Sequence, residues 1–199
     1  CFEWLEGWDA LQALLNELTG GRVEASILNI GCGNSPLSET MYDYGYHNIV
    51  NGDISTVVIE QMAARNKERS QMKWMVLDAF EMTLPDDSFD LIIDKSVLDT
   101  FACASNSHLW VATYLKECQR VLVNGGAMLC VSFATPDKRK HFFEFPHLDL
   151  AYREYAFPIK PKASPHFAYI LTKPADGGHA CQTWERVRSE LSQDRSLGE

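Results

Sequence analysis

Apolar positions in this chain recur first at three- and four-residue intervals and then in short unbroken runs, and these two patterns alternate. Trp4, Leu5, Trp8, Leu11, Leu14, Leu15 and Leu18 keep helical spacing up to Thr19-Gly20-Gly21, which predicts an opening helix. The run SILNI (26–30) predicts a strand that feeds into Gly31-Cys32-Gly33-Asn34-Ser35-Pro36. There Ser35 suits a helix cap and Pro36 a first helical turn. Leu37, Met41 and Tyr44 share one stripe of that helix, which stops near Gly45. NIVNGD (48–53) predicts a second strand, and Ser55 caps a helix running to about Asn66. MKWMVLDA (72–79) is a third strand, and FDLIID (89–94) a fourth after the turn-rich LPDDS.

Helical spacing returns from His108 to Val123, and Asn124-Gly125-Gly126 ends it before a fifth strand, AMLCVSF (127–133). Strands alternating with helices predict an α/β fold with a doubly wound, mostly parallel sheet, whose ligand crevice lies at the carboxyl ends of the strands. YREYAFP (152–158) and HFAYILTK (166–173) are separated by IKPKASP, too short for a crossover helix. They predict an antiparallel C-terminal hairpin. The reading is one domain over 1–199: an N-terminal helix in 1–21, a core in 26–173 and a peripheral tail in 174–199.

Composition narrows the partners. With 18 basic and 27 acidic residues, the formal net charge of -9 opposes attraction to phosphate backbones and anionic membranes, so neither a nucleic acid nor a membrane is expected. No run approaches the roughly 20 apolar residues of a membrane span, and no signal-peptide pattern opens the chain, so a cytoplasmic protein is expected. Because the chain begins on Cys1, the missing targeting pattern weighs little. The six cysteines are dispersed without CxxC pairs and read as reduced thiols, mostly in the core. The six histidines show no metal spacing, so no metal is expected and none is given a role.

The candidate chemistry sits at strand ends. Gly31 and Gly33 mark a strand-to-helix turn where backbone can approach a ligand and a helix start offers free N–H groups. Asp53 ends the second strand, where a carboxylate can take both hydrogen bonds of a ribose diol. Asp78 with the Ala79 N–H can address an adenine edge, and Asp94 and Lys95 end the fourth strand. Each has a plainer reading, as helix cap, turn acid or salt bridge. Pro36 stands where the dinucleotide fingerprint needs its third glycine, and no Gly-Lys-Ser/Thr follows, so NAD is second choice and ATP hydrolysis is not expected.

These residues resemble the class I, seven-stranded S-adenosylmethionine-dependent methyltransferases over most of the chain. ILNIGCGNS looks like their first motif, Asp53 like the acid after the second strand, Asp78-Ala79 like the adenine pair, and LPDDSFDLIIDKSVLD like the approach to the fourth strand. EWL, GCGNSPLSE, GDIS, DKSVLD and FAYILTK are similar to the branch that methylates lysine on translation elongation factor 1-alpha. The resemblance implies a Rossmann-like fold, S-adenosylmethionine as cofactor with S-adenosylhomocysteine as product, and a protein lysine acceptor. It further implies that Gly31, Cys32 and Gly33 line the methionine part, Asp53 and Ile54 the ribose and adenine, Asp78 and Ala79 the adenine edge, and Lys95 the reactive end. Phe2 stands where the branch has an aromatic cofactor contact. Asn29 replaces the acid that reads the methionine ammonium in many members, and the branch's upstream Trp/Tyr segment precedes the first residue here. A partly open, weaker cofactor site is therefore expected.

The fourth strand lacks the Asn/Asp-Pro-Pro-aromatic sequence used on exocyclic amines, which favours an aliphatic amine. Its proton must leave, and Asp94 is the candidate acceptor. Phe101, Trp110, Phe133, Phe142 and Phe143 are candidate walls of the amine slot, and Lys138-Arg139-Lys140 reads as a solvated loop. A small-molecule methyltransferase and a catalytically inert methyltransferase-like adaptor are the other readings.

Overall fold

A computed structural model describes residues 3–159, 164–176 and 182–193. Its strands are β1 (Ile27–Ile30), β2 (Ile49–Asp53), β3 (Lys73–Val76), β4 (Phe89–Lys95), β5 (Leu122–Ser132), β6 (Ala151–Ala156) and β7 (Phe167–Thr172). The helices are α1 (Trp8–Leu18), α2 (Leu37–Tyr44), α3 (Thr56–Arg65), α4 (Val97–Ala102), α5 (Ser107–Val121), α6 (Pro136–Phe143) and α7 (Trp184–Gln193). The seven strands form one sheet in the order β3-β2-β1-β4-β5-β7-β6. The first five run parallel, while β7 is antiparallel to both β5 and β6.

β1 is buried at all four positions, as a central parallel strand covered on both faces must be. Its residues alternate between two cores: Leu28 and Ile30 pack with α5 through Val111, Tyr114 and Leu115, and Ile27 packs with Leu11, Leu15, Leu37 and Met41 of α1 and α2. The chain leaves β1 toward β2 on one side and returns to β4 on the other, so a crevice opens above the β1 and β4 carboxyl ends.

Several expected boundaries move for tertiary reasons. The opening helix starts at Trp8, not Trp4, because the Lys95 ammonium takes the Trp4 and Glu6 carbonyls at 3.3 and 3.1 Å and holds residues 3–7 as a strap. Leu5 sits there at φ 58°, a left-handed conformation that a helix excludes. β5 begins at Leu122 and absorbs Asn124-Gly125-Gly126, whose glycines cross a register shift opposite Phe89–Leu91. β3 ends at Val76, so Asp78 lies two residues past it. α4 and α6 were not expected. Nor was α7: Val187 is buried, and Trp184 packs on His147 with ring centroids 4.9 Å apart, so this part of the tail joins the fold. Cys32, Cys118 and Cys130 are buried free thiols and Cys103 an exposed one, while Cys1 and Cys181 lie outside the described residues. Among the described residues no helix is long and apolar enough to cross a membrane.

Candidate active site

A cavity of about 590 Å3 occupies the crevice, and Gly31, Cys32, Gly33, Asp53, Ile54, Asp78, Ala79 and Lys95 all line it. The ninth expected contact, Phe2, lies outside the described residues. Positions spread over 65 residues of sequence thus meet at one sheet edge, because each sits at or just beyond the carboxyl end of a parallel strand.

The glycine turn needs its glycines for two distinct reasons. Gly31 and Gly33 have φ of 58° and 52°. A Cβ on Gly31 would stand 2.2 Å from Val97 Cγ2, whereas one on Gly33 would enter open space. Gly33 N–H donates to Asp53 Oδ2 at 2.9 Å and Ser55 N–H to Asp53 Oδ1 at 2.9 Å. Each carboxylate oxygen keeps a second lone pair, so Asp53 braces the loop and still presents acceptors to the cavity. Asp78 Oδ1 accepts the Phe80 N–H at 2.8 Å, which shapes the turn after β3. Burial, helped by the Asp53 charge, pushes the Cys32 thiol up to about 12, so it is a neutral wall and no nucleophile.

Lys95 is the best-anchored polar side chain of the site. Its side chain is 7% exposed and its ammonium meets the Glu3 carboxylate as well as the two strap carbonyls. Burial holds this amine below its ordinary range, against the opposing pull of Glu3 and Glu6. Glu3 also accepts from Ser35 Oγ at 2.8 Å, which ties the strap to the glycine loop. Trp4, whose role the sequence pattern assigned to helix packing, instead lines the cavity and remains 61% exposed. Asn29 is a neutral buried hub that donates to Ser38 Oγ at 2.9 Å and Asn51 Oδ1 at 3.2 Å.

Other expectations are corrected. Asp94 does not reach the cavity: it is fully buried and accepts from Val97 N, Leu98 N and Tyr114 Oη at 2.8, 3.0 and 2.9 Å, so it caps α4 and cannot meet a substrate amine. Of the candidate walls only Phe101 lines the cavity, joined by Phe80 at a centroid distance of 4.6 Å. Trp110 packs behind that pair, Phe142 and Phe143 are core, and Phe133 is half exposed at the end of β5. Lys138-Arg139-Lys140 is part of α6, and Arg139 is buried against Asp99. Among the described residues no group of three metal-ligating side chains occurs.

Asp94 also yields a stability prediction. Burial raises its carboxyl from 3.8 to about 7, against the three hydrogen bonds it accepts. The native state then holds the proton longer than the unfolded chain does, so this group's contribution is whole below about pH 4 and lost as pH rises through about 7. Asp94→Asn should flatten that part of the curve and, by setting an amide N–H2 against the helix donors, lower stability by about 2 kcal/mol at pH 5. Urea denaturation at several pH values measures both effects. An unchanged pH dependence in the variant would contradict the assignment.

Residues 28–130 match the family described as methyltransferase domain. The chain is 35% identical over 204 residues to the eEF1A lysine and N-terminal methyltransferase of Bos taurus and 36% identical to that of Homo sapiens. Both alignments cover 95% of this chain and 29% of the relative, so the chain spans less than a third of their length. Among solved structures, N-methyltransferase NodS from Bradyrhizobium japonicum WM9, in complex with S-adenosylhomocysteine, superposes with a TM-score of 0.65 at 16% identity, covering 83% of this chain and 86% of that one. The fold is that of the Rossmann-like methyltransferases. The chain belongs to the methyltransferase domain family.

Proposed function

We propose that this domain transfers the methyl group of S-adenosylmethionine to a protein amine, foremost a lysine of elongation factor 1A. The observation that carries the reading is the meeting of the glycine turn, Asp53, Asp78-Ala79 and Lys95 in one cavity at the point where strand order reverses. In this reading the glycine turn passes the methionine part, Asp53 takes the ribose hydroxyls, Ile54 covers the adenine, and Asp78 with the Ala79 N–H reads its edge. Lys95 and Trp4 hold the reactive end, where the strap excludes water.

The cofactor supplies an activated methyl group, so the protein chiefly has to align a neutral amine with it. With a reference lysine pKa near 10.4, removing the proton at pH 7 costs about 4.6 kcal/mol before any bond forms. The net charge of -9 suits an acceptor with a basic surface. Relatives named for elongation factor 1A support the acceptor, and reduced thiols suit a cytosolic setting.

Calorimetric titration with S-adenosylhomocysteine, followed by tritiated methyl transfer to purified elongation factor 1A, tests the reading. Saturable binding and label on a lysine are expected. Label in a solvent-extractable product would point to a small acceptor, and binding without transfer to any acceptor would indicate an inert module. No heat and no thermal shift with either cofactor form would end the proposal.

A further inference from the structure

We propose that a second cavity, next to the first, docks an extended segment of the acceptor protein, one that carries a basic, a large apolar and an acidic side chain in that order away from the acceptor residue. The inference rests on the function proposed above. This cavity, of about 520 Å3, lies between the turn after β3, α5 and α7. Phe80 lines both cavities, so the two meet at its ring. A free amine needs only the first cavity. A protein acceptor that sends one side chain there must also lay its neighbouring residues on the surface alongside, and the groove that starts at Phe80 is a concave surface adjoining it.

The middle of the groove is aromatic. Trp110 of α5 stands edge-on to Phe80 at a centroid distance of 5.7 Å, and yet it remains 40% exposed. Trp184 of α7 lines the same groove and is held from behind by His147. Large rings that packing fixes on one side and leaves open on the other give contact area at little cost in conformational entropy, and such rings dominate the binding energy of protein interfaces.

The ends carry free charges of opposite sign. Glu117 is committed, since it accepts from Arg120 at 3.1 and 2.8 Å, from Lys116 at 3.1 Å and from the Met82 N–H at 3.0 Å. Lys116 in turn lies over the Trp184 ring, 5.9 Å from its centre. Two lining charges are left: Glu81, directly after Phe80, and Arg188, one helical turn beyond Trp184. Both are exposed, and neither side chain has a hydrogen-bond or ion-pair partner among the described residues. Glu81, at the end shared with the first cavity, suits a base, and Arg188, at the far end, suits an acid. Trp110 and Lys116 are six positions apart on α5, about 9 Å, which is the length of about three extended residues and so of the three side chains named.

Charge reversal at the two ends separates docking from long-range attraction. Arg188→Glu makes an already acidic chain more acidic, so attraction of a basic protein by net charge alone would lower KM for elongation factor 1A. Docking in the groove predicts instead a rise of about tenfold, with kcat at saturating acceptor and S-adenosylhomocysteine affinity both within about twofold of wild type. Glu81→Lys should raise KM by a similar factor. Thr113→Arg, which sets a long side chain inside the groove, should raise it at least as much. Initial rates over a range of elongation factor 1A concentrations, with thermal melts as the control for folding, measure all three. An unchanged or lowered KM in Arg188→Glu, or a fall in kcat with KM unchanged, overturns the proposal. If the wild type transfers no methyl group, the function proposed above fails on its own. The groove is then judged by calorimetric binding of elongation factor 1A to the S-adenosylhomocysteine complex, which Arg188→Glu should weaken about tenfold. Equal affinity, or no binding by the wild type, overturns the assignment.

Discussion

Asp53→Ala should weaken S-adenosylhomocysteine binding about 100-fold, equivalent to about 2.7 kcal/mol. Two separate losses produce that figure. The carboxylate takes the Gly33 and Ser55 N–H groups at 2.9 Å each, so its removal frees the glycine loop that lines the cavity. It also removes the acceptors facing the cavity, and hydrogen bonds to a charged group are worth about 1.5–3 kcal/mol each. Asp53→Asn keeps one acceptor in place and should lose only about tenfold. Isothermal titration on both variants, with thermal melts to confirm the fold, makes the comparison. Equal affinities for wild type and Asp53→Ala would remove Asp53 from the binding site.

The second large effect concerns stability. Arg139→Ala should cost about 3–5 kcal/mol and lower the melting temperature by about 10 °C, as expected when one partner of a buried ion pair is deleted in a domain of this size. Arg139 Nε and Nη2 donate to Asp99 Oδ1 at 3.1 and 2.8 Å, with both side chains almost fully buried. Asp99 also accepts from Ser132 Oγ and the Phe133 N–H, so the pair ties α4, the end of β5 and α6 together. The cost is mostly that of the carboxylate left behind. A double variant, Arg139→Met with Asp99→Leu, should therefore recover a large part of it in urea melts. A single variant as stable as wild type would show that Arg139 is not held as described.

The contrast between these two residues shows what sequence can carry. The place of Asp53 on the cavity was legible because a strand, its last residue and the next helix cap lie within a few positions, and the parallel topology sends every such strand end to one edge. Asp78, Ala79 and Lys95 follow the same rule. Arg139 sits in a run of three basic residues whose local pattern is that of an exposed loop. Only Asp99, 40 residues away, gives it a reason to be inside. Asp94 fails in the opposite direction: its place at a strand end resembled that of Asp53, yet its side chain points along α4 into the core, where Tyr114 and two backbone donors occupy both oxygens.

The alternation of apolar runs and helical stripes determined the parallel sheet, its antiparallel C-terminal pair and the glycine-marked crevice, because strand and helix periodicities are local and the connection rules leave few topologies. Tertiary structure decided which polar groups meet. The strap over the cavity exists because Lys95 takes carbonyls from residues 91 and 89 positions earlier, and Glu6 finds His166 across 160 residues of chain. Hydrogen bonds of such separation leave no periodic trace, since a polar side chain is locally satisfied by water in any conformation. Only burial makes its partner a necessity.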